Sequence, residues 1–280
     1  MKRFTKVTVL VLLVAMMATL LIGCAGGAAA PAAAEKDLLT KVRESGKLVV
    51  CMNVTEPWNY NDPKTGEVTG MGAELIEGFA AKMGVEVVYQ PLEFASLIPT
   101  IEAGKADILV TNLTRTVERA TSKILYTNCV GSAKIIAIVD KASPYKSIAE
   151  LDVSGVTLTT EAATISEEIA PDVFKNAVMS PCNTNADAVA ALKAGRADAF
   201  ITDTDVASAV LAANKDLTFI DEPVFLDTYA FGVKLDASSF TFVSAFNTYL
   251  ELIKGDGTYG KLYEKYFGAK WTPDYADVAR

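Results

Sequence analysis

Short apolar runs alternate with longer amphipathic stretches through most of the chain. Lys47 to Met52, Val85 to Tyr89 and Ala106 to Val110 are rich in Val, Ile and Leu, and each follows a Gly or a polar residue. Such runs predict buried strands. Between them, Met71 to Lys82 puts Leu75, Phe79 and Met83 on one face and stops at Gly84, and Phe94 to Ala103 stops before Gly104. Both patterns predict helices with a glycine C-cap. Strand, helix, strand, helix, strand is the doubly wound α/β arrangement. A short helix from Leu38 to Glu44 precedes it. The alternation resumes at Ser132, with strands expected over Ala133 to Val139, Val156 to Thr159, Ala197 to Thr202 and Leu217 to Ile220, and helices over Ala186 to Ala194 and Val206 to Ala213. Thr164-Ile165-Ser166-Glu167 has capping-box spacing for another helix start. Thr228 to Lys234 is expected to return the chain to the first half. Helices from Phe240 to Lys254 and from Tyr259 to Phe267 follow, with Gly255-Asp256-Gly257 between them.

One stretch occurs twice. Ile101 to Asn112, IEAGKADILVTN, returns as Leu192 to Asp203, LKAGRADAFITD. Each copy reads as a helix end, a glycine and a short strand that finishes in polar residues. Ligands of open α/β sheets sit beyond the carboxyl ends of the strands, so the tips Thr111-Asn112 and Thr202-Asp203 are the expected site. After the first tip come Thr114, Thr116 and Arg119, donors suited to an anion. The second tip offers Asp203 and Asp205, acceptors suited to a cation. Together they suit a zwitterion. Asp107 and Asp198 recur at both strand starts, which points to a structural turn role.

Composition narrows the chemistry. The chain has 280 residues, enough for two domains, and a formal net charge of −8. Residues 1–23 carry Lys2, Arg3 and Lys6 and no acid, so the remainder stands three charges lower, at −11. So acidic a body has no electrostatic footprint for nucleic acid. The sequence contains no histidine, which removes His-based acid–base catalysis, Ser-His and Cys-His nucleophile pairs and His metal sites. Cys24, Cys51, Cys129 and Cys182 fit no zinc or CxxC spacing. No cofactor or metal is expected.

The N-terminus has its own pattern. A basic start, an apolar run from Val7 to Leu21 and small residues before Cys24 read as a secretory signal. Leu21-Ile22-Gly23-Cys24 resembles the bacterial lipobox, in which the cysteine is acylated; an uncleaved anchor is the alternative. Ala25 to Ala34 is all Ala, Gly and Pro, a tether composition.

In its order of motifs the chain is similar to the extracytoplasmic solute-binding proteins of amino-acid ABC transporters. The resemblance rests on Leu97-Ile98-Pro99 with Ala103-Gly104-Lys105-Ala106-Asp107, on Thr114-x-Thr116-x-x-Arg119, on Ala194-Gly195-Arg196-Ala197-Asp198 through Asp203, on Phe231-Gly232-Val233-Lys234, and on Gly255-Asp256-Gly257-Thr258-Tyr259. It implies an α/β, two-lobed type II periplasmic-binding-protein fold, each lobe a doubly wound sheet, joined by two hinge crossovers. Residues 1–23 would be a lipoprotein signal peptide and 24–35 a tether. Lobe one would take 36–132 and 226–280, and lobe two 133–225.

By the same resemblance, Arg119 holds a ligand α-carboxylate, Thr111, Asn112 and Thr114 add backbone and hydroxyl contacts, and Asp203 accepts from the α-ammonium. Thr164 or its neighbours supply an amide from lobe two, and Phe94 and Trp58 stand near aromatic positions of the family. Each aromatic has an ordinary reading too, as core. The chain departs from the family at Gly70-Met71-Gly72, which lacks the usual acid, and at Glu161-Ala162-Ala163-Thr164. Thr55 or Glu56 aligns with the family's stacking aromatic. Glu161 is either a surface loop acid or, if it faces the cleft, a selector for a cationic side chain.

The expected function is therefore a lipid-anchored, monomeric extracytoplasmic protein that delivers an amino acid to a membrane permease. A cyclohexadienyl-dehydratase-like enzyme is the alternative, with Glu56 or Glu161 as its acid, as is a binder of another carboxylate.

Overall fold

The computed structural model describes residues 36–272. The segment expected to be a signal, the expected acylation site Cys24 and the expected tether up to residue 35 lie outside the described residues, as do residues 273–280. Helix α1 (Leu38–Ser45) is capped by Asp37, whose carboxylate accepts from the Thr40 amide at 3.1 Å. The chain then forms β1 (Lys47–Met52), a small hairpin of β2 (Tyr60–Asn61) and β3 (Val68–Thr69), α2 (Met71–Met83), β4 (Glu86–Pro91), α3 (Phe94–Glu102), β5 (Ile108–Leu109), α4 (Val117–Ser122) and β6 (Ile124–Tyr126). Next come β7 (Gly131–Asp140), α5 (Ile148–Leu151), β8 (Thr157–Thr159), α6 (Ile165–Val173), β9 (Val178–Met179), α7 (Asn185–Lys193), β10 (Ala199–Asp203), α8 (Thr204–Ala213) and β11 (Leu217–Tyr229). Strand β12 (Gly232–Lys234) and helices α9 (Phe240–Gly255) and α10 (Thr258–Phe267) complete it.

Two five-stranded sheets result, in the orders β4-β1-β5-β12-β6 and β11-β7-β10-β8-β9. In the first, β4, β1 and β5 are parallel and β12 runs against β5 and β6. In the second, β9, β8 and β10 are parallel, β7 runs against β10, and β11 against β7. The sheets are built to one plan. The chain passes between them twice, once between Tyr126 and Gly131 and once between Tyr229 and Gly232.

Each sheet is buried on both faces, which is why its strands read as apolar runs rather than alternating ones. One face of the first sheet packs Leu48, Val50 and Val110 against Leu75 and Phe79 of α2 and Phe242 and Phe246 of α9. Its other face holds Cys51 and Leu109 against Leu97 and Ile101 of α3. In the second sheet, Val139, Leu158 and Ile201 meet α6, and Ile138 and Phe200 meet α7 and α8. At about 25 cal/mol per Å² of buried apolar surface, these four layers are the main favourable contribution to the fold.

Several elements differ from the sequence expectation, among them the short β2, β3, α5 and β9, which were not expected. Strand β5 is two residues long rather than five, because the backbone from Thr111 onward leaves the sheet to form the site. Helix α4 and strand β6 were not expected, since Val117 to Tyr126 carries too few apolar residues in either period. Strand β11 does not stop at Ile220; it continues to Tyr229 and pairs with β7 on both sides of a register shift between Ile220 and Phe225. Asp221 and Glu222, the charged residues that hid this continuation, are exposed.

Candidate functional site

The two copies of the repeated stretch fold alike. Gly104 and Gly195 both take left-handed backbone angles, φ 65° and 66°, and their amides donate to Ile101 O and Leu192 O at 2.9 and 3.0 Å. A side chain would be strained there, which is why glycine closes both helices. Asp107 Oδ2 accepts from the Val49 amide on β1 at 2.8 Å, and Asp198 Oδ2 accepts from the Thr157 amide on β8 at 2.8 Å. Each aspartate ties its strand to the parallel neighbour. Their structural role, expected from their recurrence, is what the hydrogen bonds describe.

The tips at the ends of these frames meet. Asn112 Nδ2 donates to Asp203 Oδ2 at 3.0 Å. The other Asp203 oxygen caps α8, accepting from the Val206 amide at 2.8 Å. Beside this contact lies a cavity of about 30 Å³ walled by both sheets, with Phe94, Asn112 and Thr114 on the first side and Glu161, Thr164 and Asp203 on the second. Asp227 and Tyr229, from the end of β11, also face it. Thr111 is fully buried just behind; its hydroxyl donates to Asn53 Oδ1 at 2.6 Å, so it orders the tip.

Every charged side chain lining the cavity is an acid. Burial pushes Asp203 up to about 6. Burial, reinforced by the Asp203 charge, pushes Glu161 up to about 7. Asp227 also rises to about 7 from burial, with the Asp203 charge adding to it and the Thr114 hydrogen bond opposing it. Glu161 accepts from Asn185 Nδ2 at 3.0 Å, and Asp227 Oδ2 from the Thr114 hydroxyl at 2.6 Å. Asp227 Oδ1 is buried with no hydrogen-bond partner. A carboxylate oxygen left in that state is costly unless a donor reaches it. Of the two readings of Glu161, the structure has it buried and facing the cavity, 6% exposed.

Arg119 lies at the edge of this cluster and is buried. Thr116 caps α4 by accepting from the Arg119 amide at 3.1 Å, so this hydroxyl serves the helix. The guanidinium reaches the other sheet: Nη2 donates to Ala163 O at 3.1 Å and pairs with Glu168 of α6, and Nη1 donates to Thr114 O at 3.4 Å. Ala163 holds φ 62° without being glycine, a conformation that costs on the order of 1 kcal/mol and here aims its carbonyl at Arg119. Thr164 precedes α6 as expected, but the reciprocal capping box does not form. Its hydroxyl donates to Glu161 O at 2.7 Å, while Glu167 accepts from the Ala163 amide at 2.6 Å.

Trp58 and Glu56 stand apart from the cavity. Trp58 is core, edge-on to Tyr229 and Phe267, and its Nε1 donates to Asp205 Oδ2 at 2.9 Å. It thereby links the two sheets and gives a hydrogen bond to an acid that the second tip brings inward. Glu56 is exposed on a separate groove with Val54, Ala186 and Val210. Cys51 and Cys129 are buried free thiols, and burial pushes Cys51 up to about 12. Among the described residues no cluster of three or more Cys, Asp and Glu has the arrangement of a metal site. Asp227 was missed in the sequence. The signal was present: it falls in phase with Tyr229 on the buried face of β11, while Leu226 points out.

Residues 48–269 match the model of the bacterial extracellular solute-binding proteins, family 3. The ABC transporter glutamine-binding protein GlnH of Bacillus subtilis (strain 168) is 27% identical over 262 residues, which take in 91% of this chain and 94% of that protein. Among solved structures, the amino acid ABC transporter substrate-binding protein AbpA from Streptococcus pneumoniae Canada MDR_19A, bound to L-arginine, is similar at 26% identity and a TM-score of 0.75, covering 82% of this chain and 98% of that one. The ancestral amino acid-binding protein AncCDT-1, a precursor of cyclohexadienyl dehydratase, is similar at 28% identity and a TM-score of 0.75, covering 82% and 99%.

Proposed function

Because the chain belongs to the bacterial extracellular solute-binding proteins of family 3, we propose that it captures an amino acid between the two lobes of its type II periplasmic-binding-protein fold and hands it to an ABC transporter permease. The observation that carries this is the meeting of two strand tips, from different sheets, around one polar cavity. In this reading lobe one is residues 36 to about 128 and the chain after about residue 230, and lobe two is the part between, a few residues off the expected bounds of 132 and 226 because β7 and β11 both belong to the second sheet. The two places where the chain changes sheets support that division and form the hinge.

In this reading Asp203 accepts from the α-ammonium, and Asn112, Thr114 and Thr164 complete the polar wall. Phe94 covers the ligand. The α-carboxylate takes the place of Glu168 on Arg119, whose planar fork suits it. Glu168 is 41% exposed and swings out at little cost. A cavity of about 30 Å³ has room for about one water molecule, so the lobes part to admit the amino acid and close on it. The signal-like segment and Cys24 support secretion and lipid anchoring, with the binding body acting as a monomer beside its permease. No helix among the described residues is long and apolar enough to cross a membrane.

The test is calorimetric titration of the full chain, in mild detergent, with the common amino acids. Arg119→Ala is expected to weaken binding by about 2–5 kcal/mol, the range for losing a buried charged partner. Glu168→Gln is expected to strengthen it, because a competing carboxylate is removed. Undiminished affinity in Arg119→Ala would dismiss the carboxylate clamp.

One observation favours a second reading, a dehydratase acting on a carboxylated ring. Glu161 is buried in the cavity and pushed up to about 7, which suits a general acid. The expected result with prephenate is no turnover; product formation abolished by Glu161→Gln would put the enzyme reading first.

A further inference from the structure

We propose that the ligand carries a second cationic group beyond its α-ammonium, so that the pocket takes a dibasic amino acid, with Asp227 and Glu161 as the residues that select it. This rests on the amino-acid reading above and narrows it. Three carboxylates, Glu161, Asp203 and Asp227, line one cavity, and no lysine or arginine lines it with them. Their partners within the protein are neutral: Asn185 for Glu161, Thr114 for Asp227, and Asn112 with the Val206 amide for Asp203. The nearby guanidinium, Arg119, already pairs with Glu168.

A ligand with one ammonium and one carboxylate adds no net charge to this cluster. It would satisfy Asp203 and leave Asp227 and Glu161 desolvated with no counter-charge, so that each either stays ionised at a cost or takes up a proton. Asp227 supplies the second, independent sign. It lines the cavity and is 3% exposed, and its Oδ1 is buried with no hydrogen-bond partner. When the lobes part and close on the ligand, an ammonium or guanidinium group supplies the donor that this oxygen lacks.

The layout of the second sheet gives the ligand its length. Asp203 ends β10, Glu161 lies just beyond the adjacent β8, and Asp227 lies on β11, two strands away on the other side. Neighbouring strands are about 5 Å apart, so the acids are spread across the pocket rather than gathered at one point. With the α-ammonium at Asp203 between them, a second cationic group several bonds away reaches toward one of the two flanking acids, and the other adds its field.

The experiment is a titration of the full chain with L-arginine, L-lysine and L-ornithine, with L-citrulline and L-glutamine as neutral counterparts, and with agmatine, which keeps both cationic groups and lacks the carboxylate. At least one dibasic amino acid is expected to bind about 30-fold or more tighter than citrulline, the ratio that corresponds to the lower end for a desolvated charge pair. Asp227→Asn and Glu161→Gln, which remove buried charge without removing volume, are each expected to narrow that gap mainly by weakening the dibasic ligand. Citrulline or glutamine binding as tightly as every dibasic amino acid overturns this inference and leaves the amino-acid reading intact. Agmatine binding as tightly as arginine supports the two-cation pocket and overturns the carboxylate clamp on Arg119. Silence from all amino acids overturns both. The wild-type panel decides the matter even if a variant fails to fold.

Discussion

The two copies of the repeated stretch share a frame and differ at the tip. In both, a left-handed glycine ends the helix and an aspartate ties the strand to its parallel neighbour. Beyond that point the first copy turns to Asn112, an amide, and the second to Asp203, a carboxylate. The frames never approach the cavity, while the tips touch across it. One architecture therefore presents opposite chemistry from its two halves, and the sheet supplies position while the last residue supplies charge. The difference is reinforced by what gathers around each tip. Neutral Asn53, Thr111 and Thr114 surround the first, whereas Glu161, Asp205 and Asp227 collect on the second side.

The largest expected effect separates the tips. Asp203→Asn keeps a good helix N-cap and removes the charge, so ligand affinity should fall by about 2–5 kcal/mol with the melting temperature unchanged or higher. Asn112→Ala should cost binding only about 1 kcal/mol, a neutral hydrogen bond. Equal losses in titrations of the two variants would dissolve the distinction between tips.

A smaller effect tests the acids of the second side through pH. Glu161, Asp203 and Asp227 titrate higher in the folded protein than ordinary carboxylates do. The folded state therefore binds their protons more tightly than the unfolded chain does. Their contribution to stability is complete below about pH 4 and is lost as pH rises through 6 to 7, on the order of a few kcal/mol in all. Ligand-free melting temperature should fall between pH 5 and pH 8, and Asp227→Asn should flatten that slope. A melting temperature that does not move over this range would mean that these acids ionise freely.

The smallest effect tests the frame. Asp107→Ala and Asp198→Ala each leave one strand amide without its partner, at Val49 and at Thr157, and should each destabilise the protein by about 1–2 kcal/mol. Denaturant unfolding should give similar costs, and titration should give unchanged affinity. A loss of binding in either variant would show that the frame reaches the ligand after all.

Much of this was legible beforehand. Lys47 to Met52, Met71 to Lys82 and Phe240 to Lys254 were readable because apolar period and glycine stops agree, and the two tips because the motif occurs twice. Glu161 remained ambiguous, since an acid in a polar loop looks the same in sequence whether it faces water or a cavity. Trp58 was ambiguous for a similar reason: its bond to Asp205 joins residues 147 apart in the chain. The pairing of Arg119 with Glu168 had no local signal at all.

The sequence by itself determined the layered α/β elements, the shared frames and the family, because periodicity, capping and turn residues act over a few neighbours. The tertiary structure alone decided which acids share a cavity, which oxygen of Asp227 lacks a donor, and that Trp58 lies beneath the site rather than on its wall. Those facts depend on desolvation and Coulomb interactions between distant segments, and these arise only when two sheets bring them within a few ångströms of each other.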